Sequence, residues 1–220
     1  MKETTLIIDE ATGALTVEGL NDETLNRIAG DLLPQPAHVN CARPMNVPPA
    51  ISASKNVGQD EPQLRVFRVY HGSVVEGFGR RSVVQLQGCK RRCVGCYVPE
   101  THDTHGGVLM GIIEVVELLL DAAGEPRDGV TILGGEPFLQ PDGLAALMRE
   151  LKARDIHLTL YSGYTLEELR ARSEPGVHET LALADVLIDS PFVSALAHNA
   201  GEWRGSTNQR VIHHPSRYQS

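Results

Sequence analysis

The chain carries the stretch Gly88-Cys89-Lys90-Arg91-Arg92-Cys93-Val94-Gly95-Cys96-Tyr97, in which three cysteines follow the spacing Cx3Cx2C. Three thiolates on so short a loop can converge on one metal centre. A four-iron cluster normally takes four thiolates, so three cysteines leave one iron open to bind another molecule. The stretch directly follows a predicted strand, Ser82–Gln87, and α/β folds place their sites at such strand ends. The sequence therefore predicts an iron–sulfur centre at the end of a strand.

A structural zinc site is the alternative interpretation of the three cysteines. Such a site usually pairs two Cx2C knuckles or adds histidines at regular spacing. This chain has one Cx2C, and the candidate fourth ligands, His102 and His105, lie in a Gly-rich loop. The remaining cysteine, Cys41, stands far from the triad and is expected to be inert, although it could serve as an extra ligand.

Composition narrows the class of protein. The 220 residues are 41% hydrophobic and 22% charged, with a formal net charge of −8, which argues against a general nucleic-acid binder. No apolar run approaches the ~20 residues of a membrane helix. The N-terminus does not resemble a signal peptide. We therefore expect a cytoplasmic protein without a nucleic-acid or membrane partner, in a compartment where thiols stay reduced.

Three regions differ in character along the chain. Residues 1–33 are predicted to form a small extension with a hairpin, Thr5–Asp9 and Ala14–Val17, and a helix around Leu25–Leu32. Residues 34–62 contain six prolines and are predicted to form a linker or strap. Residues 63–220 carry the main domain.

The main domain shows alternating strand and helix patterns, which indicate parallel βαβ units. Helices are predicted at Gly111–Ala123, stopped by Gly124, around Leu144–Leu151, and from Thr165, where a capping box to Glu168 is expected. The other predicted strands are Leu64–Tyr70, Val130–Leu133, Ile156–Tyr161, Val186–Ile188 and Val211–Ile212.

The Cx3Cx2C motif with an aromatic residue after its last cysteine resembles the radical S-adenosylmethionine (SAM) superfamily. Residues Gly134-Gly135-Glu136-Pro137 resemble its GGE motif. Further segments resemble one subfamily, the activating proteins of anaerobic ribonucleoside-triphosphate reductase: Leu86–Cys89, Pro99–His102, Tyr161–Thr165, Asp189–Phe192 and Trp203–Arg210. This resemblance runs from about Leu64 to His213.

The resemblance implies a fold, cofactors and an activity. The fold would be a partial (β/α) barrel of about five or six parallel strands. Cys89, Cys93 and Cys96 would hold a [4Fe-4S] cluster whose open iron chelates SAM. Reductive cleavage of SAM would give a 5′-deoxyadenosyl radical, which takes a hydrogen from a glycine of a partner, an anaerobic ribonucleotide reductase. An electron donor such as a flavodoxin would supply the electron.

The same resemblance assigns binding roles, each with a simpler alternative. Gly134, Gly135, Glu136 and Pro137 would hold the methionine part of SAM, or form only a glycine-rich turn. Gly95, Cys96 and Tyr97 would flank the adenine, although Tyr97 could instead pack in the core. Ser162 and Asp189 end successive strands and would point into the site, although Asp189 could instead cap a helix.

Two further segments keep two interpretations each. Lys90, Arg91 and Arg92 would raise the potential of the cluster and steer an acidic electron donor, or form a solvated basic loop. Trp203–Arg210 would cover the site or touch the partner, or simply close the sheet.

The chain departs from the family pattern in two places. Glu76-Gly77-Phe78-Gly79 stands where the family commonly has Asp-Gly-Pro-Gly, and residues 1–62 form an extension that short activating proteins lack. The extension leaves the partner open: a different glycyl radical protein, a peptide or a small molecule are enzymatic alternatives. A non-catalytic iron–sulfur or zinc module that senses redox state or binds a partner is the alternative from another class.

Overall fold

A computed structural model describes residues 5–8, 15–18, 62–121 and 127–219. Strands β1 (Thr5–Ile8) and β2 (Leu15–Glu18) pair antiparallel, with Thr5 opposite Glu18, which confirms the predicted hairpin. The predicted helix at Leu25–Leu32, the prolines of residues 34–49, Cys41 and Gly124 lie outside the described residues.

The main domain is an α/β structure built on a seven-stranded mixed sheet. Its strands are β3 (Gln63–Ser73), β4 (Arg81–Leu86), β5 (Val108–Gly111), β6 (Gly129–Gly134), β7 (Leu158–Tyr161), β8 (Val186–Asp189) and β9 (Arg210–His213). The order across the sheet is β5-β3-β4-β6-β7-β8-β9. Strands β4, β6, β7 and β8 pair in parallel, so the loops that follow them emerge along one edge.

The sequence predicted about five or six parallel strands, whereas the sheet is mixed. Strand β3 pairs antiparallel with β4 and with β5, and β9 pairs antiparallel with β8. The connections explain the difference. A parallel pair needs a crossover of a dozen or more residues, usually a helix. Residues 74–80 are too few for a crossover, and residues 190–209 contain no helix longer than the 3-10 turn Ser194–Leu196.

In the described part of the chain, four α-helices accompany the strands: α1 (Ile112–Leu120), α2 (Pro141–Lys152), α3 (Leu166–Arg170) and α4 (Pro175–Leu183). The predicted capping box at the start of α3 is present, with Thr165 Oγ1 accepting from Glu168 N and Glu168 Oε2 accepting from Thr165 N. Strand β5 and helix α4 were not predicted. None of the helices in the described part of the chain is both long and apolar enough to span a bilayer.

The two faces of the sheet have different surroundings, because successive side chains of a strand point to opposite faces. One set packs with the helices into the core, as Leu86, Ile132 and Leu160 do. The alternate set, which includes Gln85, Leu133 and Tyr161, lines a cavity. All six residues of β4 are buried, so both of its faces are covered.

A fully buried arginine closes the inner face where the parallel strands begin. Arg81 donates to Thr131 Oγ1 and Thr159 Oγ1 on the neighbouring strands, both at 3.0 Å, and to the carbonyl of Val130. Burial lowers the pKa of Arg81 to about 10. This side chain satisfies its polar atoms without a carboxylate, and it ties β4, β6 and β7 together at the end opposite the cysteines.

Candidate functional site

The three cysteines lie on the loop that follows β4, and each thiol is free and half-buried. Cys96 N donates to Cys93 O at 3.2 Å, and Arg92 and Gly95 adopt positive φ values of 46° and 73°, so the loop turns tightly. Burial raises the pKa of the Cys89 thiol, while backbone hydrogen bonds from Arg92 and Arg91 oppose that rise. All three side chains line the same cavity, whose volume is about 860 Å³.

The GGE segment begins at Gly134, the last residue of β6, and its backbone is hydrogen-bonded to β4 and to the cysteine loop. Gly135 N donates to Leu86 O and Glu136 N donates to Gly88 O, both at 2.8 Å. A Cβ on Gly135 would lie 2.1 Å from Gly88 O, and one on Gly134 would lie 2.3 Å from Leu86 N. Both glycines are therefore required by the contact between two backbones, a reason that the sequence did not reveal.

The Glu136 carboxylate joins this segment to the loop after β7. It is 1% exposed, and its oxygens accept from Phe138 N at 3.1 Å, Ser162 Oγ at 3.0 Å and Gly163 N at 2.8 Å. Burial raises the pKa of Glu136 to about 7, and these three donors act in the opposite direction. Ser162 thus reaches the cavity as predicted from its strand end, and it also binds Glu136.

Replacing Glu136 with glutamine is expected to destabilise the fold by about 1–3 kcal/mol, since the amide would point a donor at groups that themselves donate. Urea unfolding measures the change. Glu150→Gln is the matched control, because the Glu150 carboxylate makes only a surface pair with Arg154, which lies just beyond the end of α2. Equal losses in the two variants would contradict the prediction.

Eight of the residues expected at the site line the cavity: Cys89, Cys93, Cys96, Tyr97, Gly134, Gly135, Glu136 and Ser162. Tyr97 is 72% exposed, and its ring lies 4.8 Å from that of Phe192, which excludes the core-packing alternative. Gly95 and Pro137 do not line the cavity. A Cβ on Gly95 would lie 3.0 Å from Ser194 Cβ, and Pro137 begins a buried 3-10 turn.

Asp189 does not line the cavity either, and its carboxylate is fully used by the protein. Oδ2 accepts from Leu166 N at 2.7 Å, at the first turn of α3, and Oδ1 accepts from Arg210 Nε at 2.9 Å. Ser190 Oγ is also bonded to Oδ1, and the residue is 0% exposed. These contacts match the helix-cap alternative rather than contact with a ligand.

The three basic residues of the cysteine loop point in different directions. Lys90 and Arg92 are exposed, whereas Arg91 folds back into the protein. The Arg91 guanidinium lies 4.7 Å from the centre of the Tyr164 ring, and a Cβ on Gly163 would meet its side chain at 2.6 Å. Arg91 thus holds the cysteine loop against the loop after β7. Lys90 and Arg92 are the two cations of the loop that remain exposed to solvent.

Two further segments border the cavity. Residues 74–79 line it from the β3–β4 connection, and Trp203, Arg204, Gly205 and Gln209 line it from the connection before β9. Tyr161 Oη donates to Trp203 O at 2.6 Å, and Gln209 Nε2 donates to Ser190 O at 3.1 Å. The segment Trp203–Arg210 therefore borders the cavity and is hydrogen-bonded to β7 and to Ser190, which both of its interpretations allow. Alternation along β4, β6 and β7 was the signal that could have added Gln85, Leu133 and Tyr161.

The residues of the cavity fit a cluster with a polar ligand. Three buried polar atoms on its wall have no hydrogen-bond partner among the described residues: Glu76 Oε2, His102 Nε2 and Arg204 Nε. Within the same part of the chain, no three Cys, His, Asp or Glu side chains are placed to hold a single metal ion. A four-iron cluster binds each thiolate at a different iron, so it suits three spread cysteines better than one zinc ion does.

Comparison with known proteins first identifies the class of protein to which the chain belongs. A family described as "4Fe-4S single cluster domain" matches residues 75–212, which include the cysteine loop and every parallel strand. The chain is therefore an iron–sulfur protein with a single-cluster domain.

Curated relatives then define the family. The anaerobic ribonucleoside-triphosphate reductase-activating protein of Salmonella typhi is 33% identical over 69% of this chain and 99% of its own length. The proteins of that name from Haemophilus influenzae and from phage T4 are 30% and 32% identical, over 68% and 66% of this chain and 97% and 90% of their own lengths. The chain belongs to the family of anaerobic ribonucleoside-triphosphate reductase-activating proteins.

Proposed function

We propose that this protein is a radical SAM enzyme that activates an anaerobic ribonucleoside-triphosphate reductase. The observation that carries the proposal is the joining of two loops at one cavity. Cys89, Cys93 and Cys96 line the cavity from one loop, and Gly134–Glu136 line it from a loop that is hydrogen-bonded to the first. Family membership supplies the partner, since the relatives are named for activating this reductase.

The cofactors are a [4Fe-4S] cluster and SAM. When bound, the cluster would supply the electron for reductive cleavage of SAM to methionine and a 5′-deoxyadenosyl radical. Transfer of a hydrogen atom from a glycine of the reductase to this radical would give 5′-deoxyadenosine and a glycyl radical. The protein positions both molecules and keeps water from the reacting carbon. Cys89, Cys93 and Cys96 would hold the cluster through three of its irons, and the fourth iron would remain open to SAM.

Some of the remaining site residues border SAM, and the others support the loops that carry them. Gly134, Gly135 and Glu136 border the methionine part of SAM, and Cys96 and Tyr97 border its adenine. Ser162 holds the Glu136 carboxylate through its hydroxyl. Gly95, Pro137 and Asp189 shape the loops from behind the cavity wall, Asp189 through its bonds to Leu166 N and Arg210.

A protein-sized substrate is supported by the apolar side chains around the cavity. Val74, Val75, Phe78 and Tyr97 line it and are each more than half exposed. Exposed apolar groups collected at one place commonly mark a binding surface. They lie where the glycine-bearing segment of the reductase has to enter.

We propose the domain boundaries predicted from the sequence, with an extension at 1–33, a Pro-rich linker at 34–62 and a radical SAM core at 63–220. In this proposal the mixed sheet curves into a partial barrel around the cavity, and the protein works in the cytoplasm with its reductase.

The test of function is anaerobic reconstitution with iron and sulfide, followed by incubation of the reduced protein with SAM and an anaerobic ribonucleoside-triphosphate reductase from the same organism. We expect 5′-deoxyadenosine together with a glycyl radical signal in electron paramagnetic resonance (EPR). Cleavage of SAM without a signal on the reductase would indicate another partner. A four-iron protein that releases no 5′-deoxyadenosine would refute the enzymatic proposal.

The delivery of electrons to the cluster gives a separate prediction, because Lys90 and Arg92 are exposed on the cysteine loop. Charge reversal of both, Lys90→Glu with Arg92→Glu, is expected to slow reduction by an acidic flavodoxin by about tenfold or more at low salt, and to remove much of its salt dependence. Stopped-flow reduction measures the rate.

Two controls accompany this variant. Arg217→Glu changes an exposed charge that follows β9, at the end of the sheet where β8 begins, and should leave the rate unchanged. A small chemical reductant should reduce the double variant at the normal rate. If the flavodoxin rate and its salt dependence stay the same, the two cations do not form the docking site.

A further inference from the structure

His102 is held beside the first cluster cysteine by the backbone of the cysteine loop. It ends the 3-10 helix Pro99–His102, and the carbonyl of Thr101 accepts from Gly88 N at 2.9 Å, one residue before Cys89. The Gln87 side chain fixes the backbone on both sides, since its Nε2 donates to Glu100 O at 3.0 Å and to Asp103 O at 2.6 Å. The position of His102 relative to Cys89 is therefore set before any ligand binds.

The imidazole of His102 carries a buried nitrogen, Nε2, that has no hydrogen-bond partner among the described residues. His102 is one of the residues that line the same cavity as the three cysteines. A buried polar atom left unpaired costs roughly 1–3 kcal/mol, so a partner from outside the chain is expected. The other two unpaired atoms of the cavity wall belong to different segments, those of Glu76 and Arg204, whereas His102 belongs to the continuation of the cysteine loop.

We propose that His102 Nε2 donates a hydrogen bond to a sulfur of the bound cluster on its Cys89 side and thereby raises the reduction potential of the cluster. This inference rests on the proposed function. A hydrogen bond to a cluster sulfur stabilises the negative charge added on reduction, which raises the potential.

Three substitutions at His102 separate the donor from the ring. Glutamine carries an amide nitrogen at about the reach of Nε2, asparagine is too short to reach it, and phenylalanine keeps the ring without a donor. His105 offers the matched control, because it lies in the same loop with a side chain that is 91% exposed and does not line the cavity.

The measurement is an EPR-monitored redox titration of each anaerobically reconstituted protein without SAM, with iron content determined in parallel. His102→Phe and His102→Asn are expected to bind four irons and to show a lower potential, by an amount that decreases the ratio of reduced to oxidised cluster about tenfold at a fixed donor potential, or 59 mV for one electron. His102→Gln should recover most of the shift, and His105→Phe should match the unsubstituted protein.

Several results would overturn the inference. Equal potentials in all variants, or the same shift in the glutamine and phenylalanine variants, would show that no donor at this position acts on the cluster. A weaker affinity for SAM at an unchanged potential would assign His102 to SAM instead. If the phenylalanine variant fails to bind iron, the comparison of glutamine with asparagine decides. Failure of the unsubstituted protein to cleave SAM refutes the function, whereas equal potentials in an active protein refute only the role of His102.

Discussion

Replacing Cys93 with serine is expected to reduce bound iron to background and to lower 5′-deoxyadenosine formation by more than about a hundredfold. Even residues that merely orient metal ligands cost roughly 10–100-fold when they are changed, and Cys93 is one of the three thiols of the described residues, all of which line the cavity. The serines at Cys89 and Cys96 should behave in the same way, because a cluster with one open iron has no spare protein ligand. Iron and sulfide assays with product chromatography measure both effects.

Cys41→Ser is the matched control for these variants, since it removes the fourth cysteine of the chain, which lies outside the described residues. It should keep the iron content and the activity of the unsubstituted protein, as expected for an inert thiol. Loss of the cluster in Cys41→Ser, or retention of four irons in Cys93→Ser, would assign the ligands differently.

Adding one methyl group at Gly135 is expected to have the next largest effect. In Gly135→Ala the new Cβ would lie 2.1 Å from Gly88 O, and the obstacle is backbone that cannot rotate away. Overpacking costs roughly 1–3 kcal/mol, and we expect the upper end of that range with displacement of the cysteine loop and loss of most bound iron. Thermal unfolding and iron content after reconstitution measure the two effects.

Gly205→Ala provides a graded control for Gly135→Ala on the same cavity wall. Its new Cβ would lie 3.2 Å from Phe192 Cδ2, the edge of a side chain that can shift, and no atom of the cysteine loop is among its nearest contacts. It should bind iron normally and lose little stability. If Gly135→Ala binds iron as fully as Gly205→Ala and unfolds at the same temperature, the two backbones do not depend on each other.

The sequence was most informative where local pattern and local structure coincide. The cysteine loop, the strand before it and the capping box at Thr165 each depend on neighbouring residues, and the structure contains all three. Strand β5, only four residues long, has no comparable local pattern, because it is defined by its pairing with β3. The direction of β3 and β9 likewise depends on the strands with which they pair. The alternation of strand and helix patterns in the sequence does not predict that pairing.

Candidate site residues divide in the same manner. Cys89, Cys93 and Cys96 were recognisable from their spacing and the GGE segment from its resemblance to a superfamily motif, and they line one cavity. The role of Asp189 was open from sequence because a carboxylate at a strand end can face a ligand or a helix. In the structure the carboxylate faces the helix, because it accepts hydrogen bonds from Leu166 N and from Arg210, which is distant in sequence. The unpaired nitrogen of His102 was beyond prediction, because it follows from burial in three dimensions.

Gly88 joins three segments, since its amide donates to Thr101 O, its carbonyl accepts from Glu136 N, and it precedes Cys89. The consequence concerns how such a protein can change over generations. Insertions or deletions within 87–101 or 134–140 would break a contact on the other segment, so these two stretches have to vary together. The connection 190–209 lacks such a link to Gly88, and length changes there are the freer route by which related enzymes can be fitted to new partners.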